Sequence, residues 1–249
     1  AVFPNESENL RDLYGLIAHE LVHQWFGDLV TCKDWSELYL NEGFAVYYSY
    51  LYDGHKNGND ALLHAVYNDR KGILYNKDEK RPIVSRKYNH AWDQFDQRAY
   101  AKGGWVLHML RSQLGEDLFR RCVTHYLKKN ALSSVDTHDL QQAFEEITGL
   151  SLLPFFDQWV HNAGHPDLKV SYDWMPYEKL AKISVEQLQA AAVAKGKEKD
   201  PAKNAAGPPL FDLPLTLRFV GPDFVVDRDV VVNKKMQDFY VPLPDKPDV

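Results

Sequence analysis

Cysteine is scarce in this chain of 249 residues, which has only Cys32 and Cys122. Two thiols so far apart in sequence cannot form the disulfide framework that stabilises many small secreted domains, and two free buried thiols are favoured over a bridge. Long apolar runs are missing as well, because no segment approaches the roughly 20 residues that cross a bilayer. The sequence therefore predicts no membrane span within these residues and leaves redox compartment and cellular location open.

Positive charge is not in excess either. Lysine and arginine number 29 against 35 aspartates and glutamates, which gives a formal net charge of −6. That balance offers no attraction to nucleic acid or to an acidic membrane surface. What the chain does have is 45% hydrophobic and 26% charged residues, an ordinary composition for globular domains. Its length allows one large domain or two modest ones.

The period of the hydrophobic pattern changes once along the chain. Up to about Pro166 apolar residues recur at three-and-four spacing, which predicts amphipathic helices. After Pro166 they alternate with polar residues in five short runs, which predicts an antiparallel sheet or half a sandwich. The segment at about 189–209 is rich in Ala, Lys, Gly and Pro and predicts a flexible, solvated insertion. The predicted fold class is therefore α+β, with a mainly helical region at 1–166 and a β domain at 167–249.

Capping residues predict where several of the helices begin and end. Asp34 and Glu37 have the spacing of a capping box, and Gly54 is the expected end of the helix that they start. The first helix is expected to cover 11–26. Its apolar residues recur at helical spacing: Leu13, Leu16, Ile17, Leu21 and Trp25. Further expected boundaries are a break near Gly115, a start at Asp136 or Thr137, an end at Gly149, and a cap at Ser151 before Pro154.

Within the first helix the sequence HELVH brings His19, Glu20 and His23 into one run. Residues four apart lie one turn apart on the same face of a helix, so the two imidazoles can be presented to a single point. Zinc accepts neutral imidazole nitrogens at about 2.0–2.1 Å. Glu20 lies about 100° further round the helix, where it can exchange a proton with water beside a metal without binding that metal. The alternative interpretation is two ordinary, partly buried histidines.

The third ligand must come from elsewhere, because a catalytic zinc usually takes three protein ligands and keeps a fourth position for water. One class of HExxH enzymes continues with Gly and a third His, but Phe26 and Leu29 occupy those places here, which excludes that class. Glu42 follows His23 after eighteen residues, within an apolar and aromatic helical run. A buried carboxylate there needs a cation. Gly43 beside it is unfavourable in a helix and indicates crowding. The alternative is a glutamate on a wet helix face.

Taken together, these residues resemble a known family. The segments HELVHQWFGDLVT and LYLNEGFA, with their spacing of HExxH, eighteen residues and Glu, resemble the signature of the M1 family of zinc aminopeptidases. These gluzincins are related to aminopeptidase N and leukotriene A4 hydrolase. The segments YAKGGWVLHMLRSQLG and FFDQWVHNAGHPDLKVSYDW are similar to later parts of the family, so the resemblance covers the chain apart from the insertion. It implies a thermolysin-like helical catalytic region, a small antiparallel β-sandwich domain, Zn2+ as cofactor and peptides as substrates.

The resemblance also implies roles for single residues. His19, His23 and Glu42 match the zinc ligands. Glu20 matches the general base that takes a proton from the water attacking the peptide bond. Tyr100, the first residue of the YAKG segment, matches a tyrosine that stabilises the transition state, although nothing in its local spacing singles it out. Lys102 also matches a lysine of the family but is given no catalytic role. Asn41 is expected to orient a group beside the ligands.

Two departures from the family are visible. The segment DWSELYLNEG has Ser36 and Tyr39 in a stretch where the family is rich in tryptophan, which is expected to alter packing only. The family's G-x-M-E-N motif, whose glutamate binds the free amino group of the substrate, does not occur in the chain. The family's N-terminal β domain and C-terminal helical domain are also missing. The 249 residues are therefore expected to be a fragment of a larger enzyme, with little or no activity alone.

Three functions are left open by the sequence. The favoured one is a zinc metallopeptidase that removes N-terminal residues from peptides. A second is the epoxide-hydrolase activity of one branch of the family, for which no residue here argues. A third is an inactive family member that serves as a scaffold or interaction module. Such a protein would be free to lose its ligands, and this chain keeps all three together with Glu20.

Overall fold

The structure is a computed structural model that describes residues 6–75, 81–189 and 210–248. Apart from Gln189, the predicted insertion at about 189–209 lies outside these residues. The chain forms two compact units, Ala1–Ala163 and Gly164–Val249. The first unit is helical and the second is built from antiparallel strands, so the predicted α+β class is confirmed. Within the described ranges, no helix combines the length and the apolar character needed to cross a membrane.

The first unit consists mainly of α-helices. Those within its described residues are α1 (Glu6–Val22), α2 (Tyr39–Asn57), α3 (Asn59–Tyr75), α4 (Gly103–Leu114), α5 (Glu116–Lys129), α6 (Thr137–Thr148) and α7 (Leu153–Phe156). Short 3-10 turns cover Trp35–Glu37 and Ala91–Gln94, and π-helical turns cover Arg98–Lys102 and Asp157–His161. Strand β1 (Val30–Cys32) pairs in parallel with β2 (Ser133–Val135).

Helix α2 lies at the centre of this unit. It packs against α1, α3, α4 and the π-helical turn 98–102. Phe44 and Tyr47 are fully buried, and Phe44 stacks on Phe26 with ring centroids 4.1 Å apart. Because aromatic side chains bury large apolar areas, these contacts hold α2 rigidly against its neighbours.

Helix α1 ends earlier than predicted, at Val22 and not at residue 26, and it also begins earlier, at Glu6 and not at residue 11. His23 and the residues after it form a wide turn in which the amide of Asp28 donates to the carbonyl of His23 at 3.0 Å. Gly27 lies in this turn at φ +140°, a conformation that side chains with a Cβ rarely adopt. The glycine therefore allows the chain to leave the helix there, an effect that the hydrophobic period does not reveal.

The start of α2 also differs from the prediction. Asp34 accepts a hydrogen bond from the amide of Ser36 at 2.8 Å, but the turn that it caps is the 3-10 turn Trp35–Glu37. Glu37 does not complete a capping box, because its carboxylate accepts bonds from the amide and hydroxyl of Thr137. Helix α2 then begins separately at Tyr39.

The end of α2 lies beyond the predicted position. Gly54 is inside the helix, which continues to Asn57 and ends at Gly58, where φ is +94°. A Cβ on Gly54 would lie only 2.9 Å from the Cβ of Leu62 in α3. Gly54 is thus explained by the close approach of two helices and not by helix termination.

The boundaries of the later helices mostly agree with the sequence. Gly115, at φ +80°, separates α4 from α5, and Gly149, at φ +69°, ends α6. Asp136 caps α6 and accepts from the amides of the next turn. The predicted cap at Ser151 is wrong, because the residue before α7 is Leu152 and no side chain caps that short helix.

The second unit contains the predicted strands: β3 (Leu168–Met175), β4 (Leu180–Gln187), β5 (Leu213–Gly221), β6 (Phe224–Val232) and β7 (Met236–Pro242). They form two antiparallel sheets in the orders β3-β4-β7 and β5-β6. Alternate residues of β4 are buried, as expected for a strand with one face on a core. Gln187 is fully buried there, and its amide exchanges two hydrogen bonds of 2.8 Å with the backbone of Phe211.

Candidate metal centre

Three of the predicted side chains meet where α1 ends and α2 begins. His19 lies in the last turn of α1, His23 follows in the wide turn, and Glu42 lies in the first turn of α2. Nε2 of His19 is 3.2 Å from Oε2 of Glu42 and 3.2 Å from Nε2 of His23. Nε2 of His23 is 3.3 Å from the same carboxylate oxygen. In the part of the chain that the structure describes, no other cluster of metal-ligating side chains is found.

The spacing of these three atoms fits a tetrahedral ion. Ligand atoms about 2.1 Å from a tetrahedral centre lie roughly 3.4 Å from one another, close to the three distances observed. Nδ1 of His23 donates to the carbonyl of Phe26 at 2.9 Å, which leaves the lone pair of its Nε2 facing the cluster when the ring is neutral. Two imidazole nitrogens and a carboxylate in such proximity are stabilised by positive charge between them, carried either by protons on the rings or by a metal cation. A zinc ion would supply that charge.

Burial and charge act in opposite directions on Glu42. Burial by itself raises the pKa of the carboxyl, but when the rings of His19 and His23 are protonated, their hydrogen bonds and charges outweigh it and hold the pKa at about 2. The side chains of Glu42, His19 and His23 are 12%, 17% and 21% exposed. The carboxylate is therefore ionised at neutral pH in a site that remains accessible from one side.

Glu20 and Tyr100 border the cluster, and the Tyr100 hydroxyl interacts with the Glu42 carboxylate. Both line the same cleft as His19, and Glu20 is exposed to solvent there. The ring of Tyr100 lies nearly parallel to that of His19, with centroids 6.3 Å apart. Burial, followed by the charge of Glu42, raises the pKa of the Tyr100 hydroxyl. Tyr100 therefore keeps its proton and can donate a hydrogen bond to a group in the cleft.

The cleft has a volume of roughly 1420 Å³ and lies within the first unit. It extends from the cluster along α2 to its far end, past Tyr50, Asp53 and Lys56. On the opposite wall it reaches His64 in α3. Clefts of several hundred cubic ångströms with a few polar groups are typical ligand sites, and this one has room for several residues of an extended peptide.

A hydrogen bond behind Glu42 ties the start of α2 to a neighbouring strand. Oδ1 of Asn41 accepts a hydrogen bond from the amide of Cys32 at 3.1 Å, so Asn41 joins β1 to the start of α2. The sequence left the partner of Asn41 open.

Burial, aided by the charges of Asp34 and Glu37, raises the pKa of the Cys32 thiol to about 11. The thiol stays protonated at neutral pH, and both cysteines are free.

Arg98, which no sequence pattern singles out, lies on the same π-helical turn as Tyr100. Arg98 is buried, and its guanidinium donates to Oδ2 of Asp96 at 2.9 Å and to the carbonyl of Pro82 at 3.0 Å. The only available signal was its position two residues before Tyr100. Its partners belong to a loop without a hydrophobic period, so the network follows only from the tertiary structure.

Comparison with known proteins identifies relatives of this arrangement. The family model described as "Peptidase family M1 domain" matches residues 4–159. Tricorn protease-interacting factor F2 from Thermoplasma volcanium is 37% identical over 162 residues, which are 63% of this chain and 21% of that protein. Aminopeptidase 2 from Candida albicans is 37% identical over 164 residues, 62% of this chain and 17% of that protein. The chain thus spans about a fifth of the length of these curated relatives.

A solved structure is similar across both units. The crystal structure of Legionella pneumophila aminopeptidase A in complex with aspartic acid matches with a TM-score of 0.69 and 20% sequence identity. The match covers 92% of this chain and 24% of that protein. At this level of identity the likeness shows the fold alone, and the matched residues include parts of both the helical unit and the β unit.

Proposed function

This chain belongs to peptidase family M1, and we propose that it carries the zinc-binding core of an aminopeptidase that removes N-terminal residues from peptides. The observation that carries the proposal is the convergence of His19, His23 and Glu42 at the spacing of a tetrahedral ion, with Glu20 on the same cleft as His19. Several relatives of the chain are named aminopeptidases, which supports peptide substrates with a free amino terminus.

The three ligand atoms suit zinc in type as well as in spacing. Imidazole nitrogen and carboxylate oxygen are common zinc ligands, and a set of two histidines and one glutamate leaves a fourth position for water or substrate. The bond from Nδ1 of His23 to the carbonyl of Phe26 fixes the ring orientation, as is usual for metal-binding histidines. When bound, zinc would polarise the scissile carbonyl and make water at the site more acidic.

Glu20 and Tyr100 supply the remaining chemistry of peptide hydrolysis. Glu20 takes a proton from the water that attacks the carbonyl carbon and passes it to the departing amine. The Tyr100 hydroxyl, which keeps its proton, donates a hydrogen bond to the carbonyl oxygen as negative charge develops on it. Asn41 does not touch the substrate in this scheme; it holds β1 against the helix that carries Glu42.

The test uses the natural protein that contains this chain. Its zinc content is measured by elemental analysis, and its turnover is followed on aminoacyl amide reporters and on the same reporters with an acetylated amino group. We expect about one zinc per chain and hydrolysis of the free-amine reporters only. Glu20→Gln should retain the zinc while kcat falls by roughly 10²- to 10⁴-fold, because the proton acceptor is lost and the ligands remain.

Two further variants make the result specific. Glu178→Gln changes an exposed carboxylate in the second unit and should leave both zinc content and kcat unchanged. His23→Ala should lose the zinc and the turnover together. Bound zinc without turnover in the unmutated protein would favour the scaffold hypothesis, and full activity in Glu20→Gln would show that another group accepts the proton.

A further inference from the structure

The π-helical turn that carries Tyr100 and the first residue of α4, Gly103, touch α2 through backbone atoms, and Gly43 faces both. Gly43 directly follows Glu42, and Gly103 lies three residues after Tyr100. A Cβ on Gly43 would lie 2.9 Å from the carbonyl carbon of Gly103 and 3.2 Å from the carbonyl oxygen of Ala99. Real Cβ atoms do not approach other atoms as closely as the first of these distances. Because the neighbours belong to the backbone, they cannot rotate away as the end of a side chain can.

The contact is equally close from the other side. A Cβ on Gly103 would lie 3.1 Å from the Cα of Gly43 and 3.1 Å from the Cβ of Tyr39. Gly103 has φ −58° and ψ −47°, an ordinary helical conformation that any residue adopts. Glycine is therefore required here by space and not by backbone conformation, although it is unfavourable inside a helix.

We propose that Gly43 is a positioning residue for Tyr100, acting through this backbone contact. The contact sets the distance between α2, which carries Glu42, and the turn that carries Tyr100. The inference rests on the proposed function, since Tyr100 is the donor to the developing oxyanion in that scheme. Donors of this kind act only when they are held at the correct distance before the reaction, and a displacement of about 1 Å can cost 10²-fold in rate.

The other side of the turn is fixed as well. Arg98, at the start of the turn, is bound to Asp96 and Pro82, and its guanidinium also donates to the carbonyl of Asp93 at 3.1 Å. Ala99 and Ala101 are buried, so the turn is packed along its length. Because the turn is held on both sides, a methyl group inserted at Gly43 cannot be absorbed by a loose loop. The strain must move the segment that carries Tyr100.

The first test is a double-mutant cycle in the natural protein, with zinc content measured for every variant. Gly43→Ala should lower kcat by about 100-fold with little change in KM, and the zinc content should remain that of the unmutated protein. Tyr100→Phe alone removes the donor. If Gly43 acts through Tyr100, the double variant should be no slower than Tyr100→Phe, because the displaced hydroxyl is already absent. Multiplicative losses in the double variant would overturn the proposal.

Gly54→Ala provides a matched control on the same helix. It creates an equally close contact, 2.9 Å to the Cβ of Leu62, but the contact faces α3 and not the Tyr100 turn. We expect Gly54→Ala to lower the midpoint of urea unfolding about as much as Gly43→Ala while kcat stays within about twofold of the unmutated value. An equal loss of kcat in both variants would show that Gly43 matters only for general stability.

A second readout does not depend on activity. 3-Fluorotyrosine is incorporated at position 100, and its fluorine resonance is recorded in the folded protein with added Zn²⁺. Gly43→Ala should shift this resonance, because the ring moves relative to His19, whereas Gly54→Ala should not. An unchanged resonance in folded Gly43→Ala would overturn the proposal. If the unmutated protein lacked aminopeptidase turnover, the proposed function would fail, and this measurement would still decide whether Gly43 positions Tyr100.

If Gly43→Ala does not fold, Gly103→Ala replaces it in both tests. Its added methyl group is less crowded, with contacts of 3.1 Å where Gly43 has one of 2.9 Å. The proposal then requires a smaller loss of kcat and a smaller shift of the fluorine resonance, in the same direction. A folded Gly103→Ala variant with unchanged kcat and an unchanged resonance would overturn it.

Discussion

The two helices that carry the candidate ligands are held in the protein in different ways. The apolar side chains of α2 are inside the first unit, with Phe44 and Tyr47 fully buried. Among the described large apolar side chains of α1 and of the turn after it, these are about half exposed: Leu13, Leu16, Ile17, Leu21 and Trp25. Packing therefore fixes Glu42 on α2, whereas His19 sits on a helix with few buried apolar contacts of its own.

The end of α1 is the exception to its exposure. Phe26, in the wide turn after the helix, is 3% exposed and stacks on Phe44. The carbonyl of the same residue accepts the hydrogen bond from His23. His23 is thus tied to α2 through Phe26, whereas His19 lies further from this stack. If zinc binds as proposed, we expect His23 and Glu42 to be in place before the metal binds and His19 to be fixed by it.

The largest expected effect contrasts Phe44 with Leu16. Phe44→Ala would leave a cavity next to Phe26 and Tyr126, and we expect it to lower the free energy of unfolding by about 3–5 kcal/mol. Leu16→Ala in the same chain changes a side chain that is 56% exposed and should cost no more than about 0.5 kcal/mol. Urea unfolding measures both values. Similar losses for the two variants would remove the distinction between the helices.

The second largest expected effect is the change in stability and in amide hydrogen exchange of α1 and α2 when zinc is added. Zinc at about 100 times its dissociation constant should stabilise the bound state by roughly 2.7 kcal/mol. If α2 is already fixed by packing, amide hydrogen exchange should slow mainly in the second half of α1 and in the wide turn after it. The exchange rates are compared with zinc and with a chelator. Equal slowing throughout α1 and α2 would show that the metal organises the two helices alike.

The smallest expected effect is the change with pH in the stability that Glu37, just before α2, contributes. Burial raises the pKa of Glu37 above its ordinary 4.5, although its bonds from Thr137 oppose the shift. The folded protein thus holds this proton more tightly than the unfolded chain. The stability that Glu37 contributes is fully present below pH 4.5 and is lost as the pH rises through the higher pKa of the folded state.

Glu37→Gln removes this titration and keeps an oxygen that can accept from Thr137. Its free energy of unfolding, relative to the unmutated chain, should therefore increase as the pH rises from 5 towards 8. Urea unfolding at a series of pH values measures the difference, in which all other titrating groups cancel. A relative stability that stays constant or falls with pH would contradict the assignment of a raised pKa to Glu37.

Much of the fold was predictable because its determinants are local. The change from a helical to an alternating period predicted the helices and the five strands, and Gly115, Asp136 and Gly149 marked boundaries that the structure confirms. The boundaries that were wrong have long-range causes. Gly54 suggested the end of a helix, yet it permits the approach of α3; Glu37 suggested a local capping box, yet it binds Thr137 about a hundred residues later.

For the candidate site, the sequence predicted His19, His23 and Glu42 as ligands, because helical geometry places residues four apart on one face and a carboxylate in an apolar run needs a cation. The structure brings these three side chains together. The sequence could not place Tyr100, which was assigned by resemblance, nor identify the contacts that hold it. Those contacts join Gly43 to Gly103 and Arg98 to Asp96 and Pro82. They arise only when α2 packs against a π-helical turn distant in sequence, because the closest backbone approach depends on the packing of whole elements and not on any local pattern.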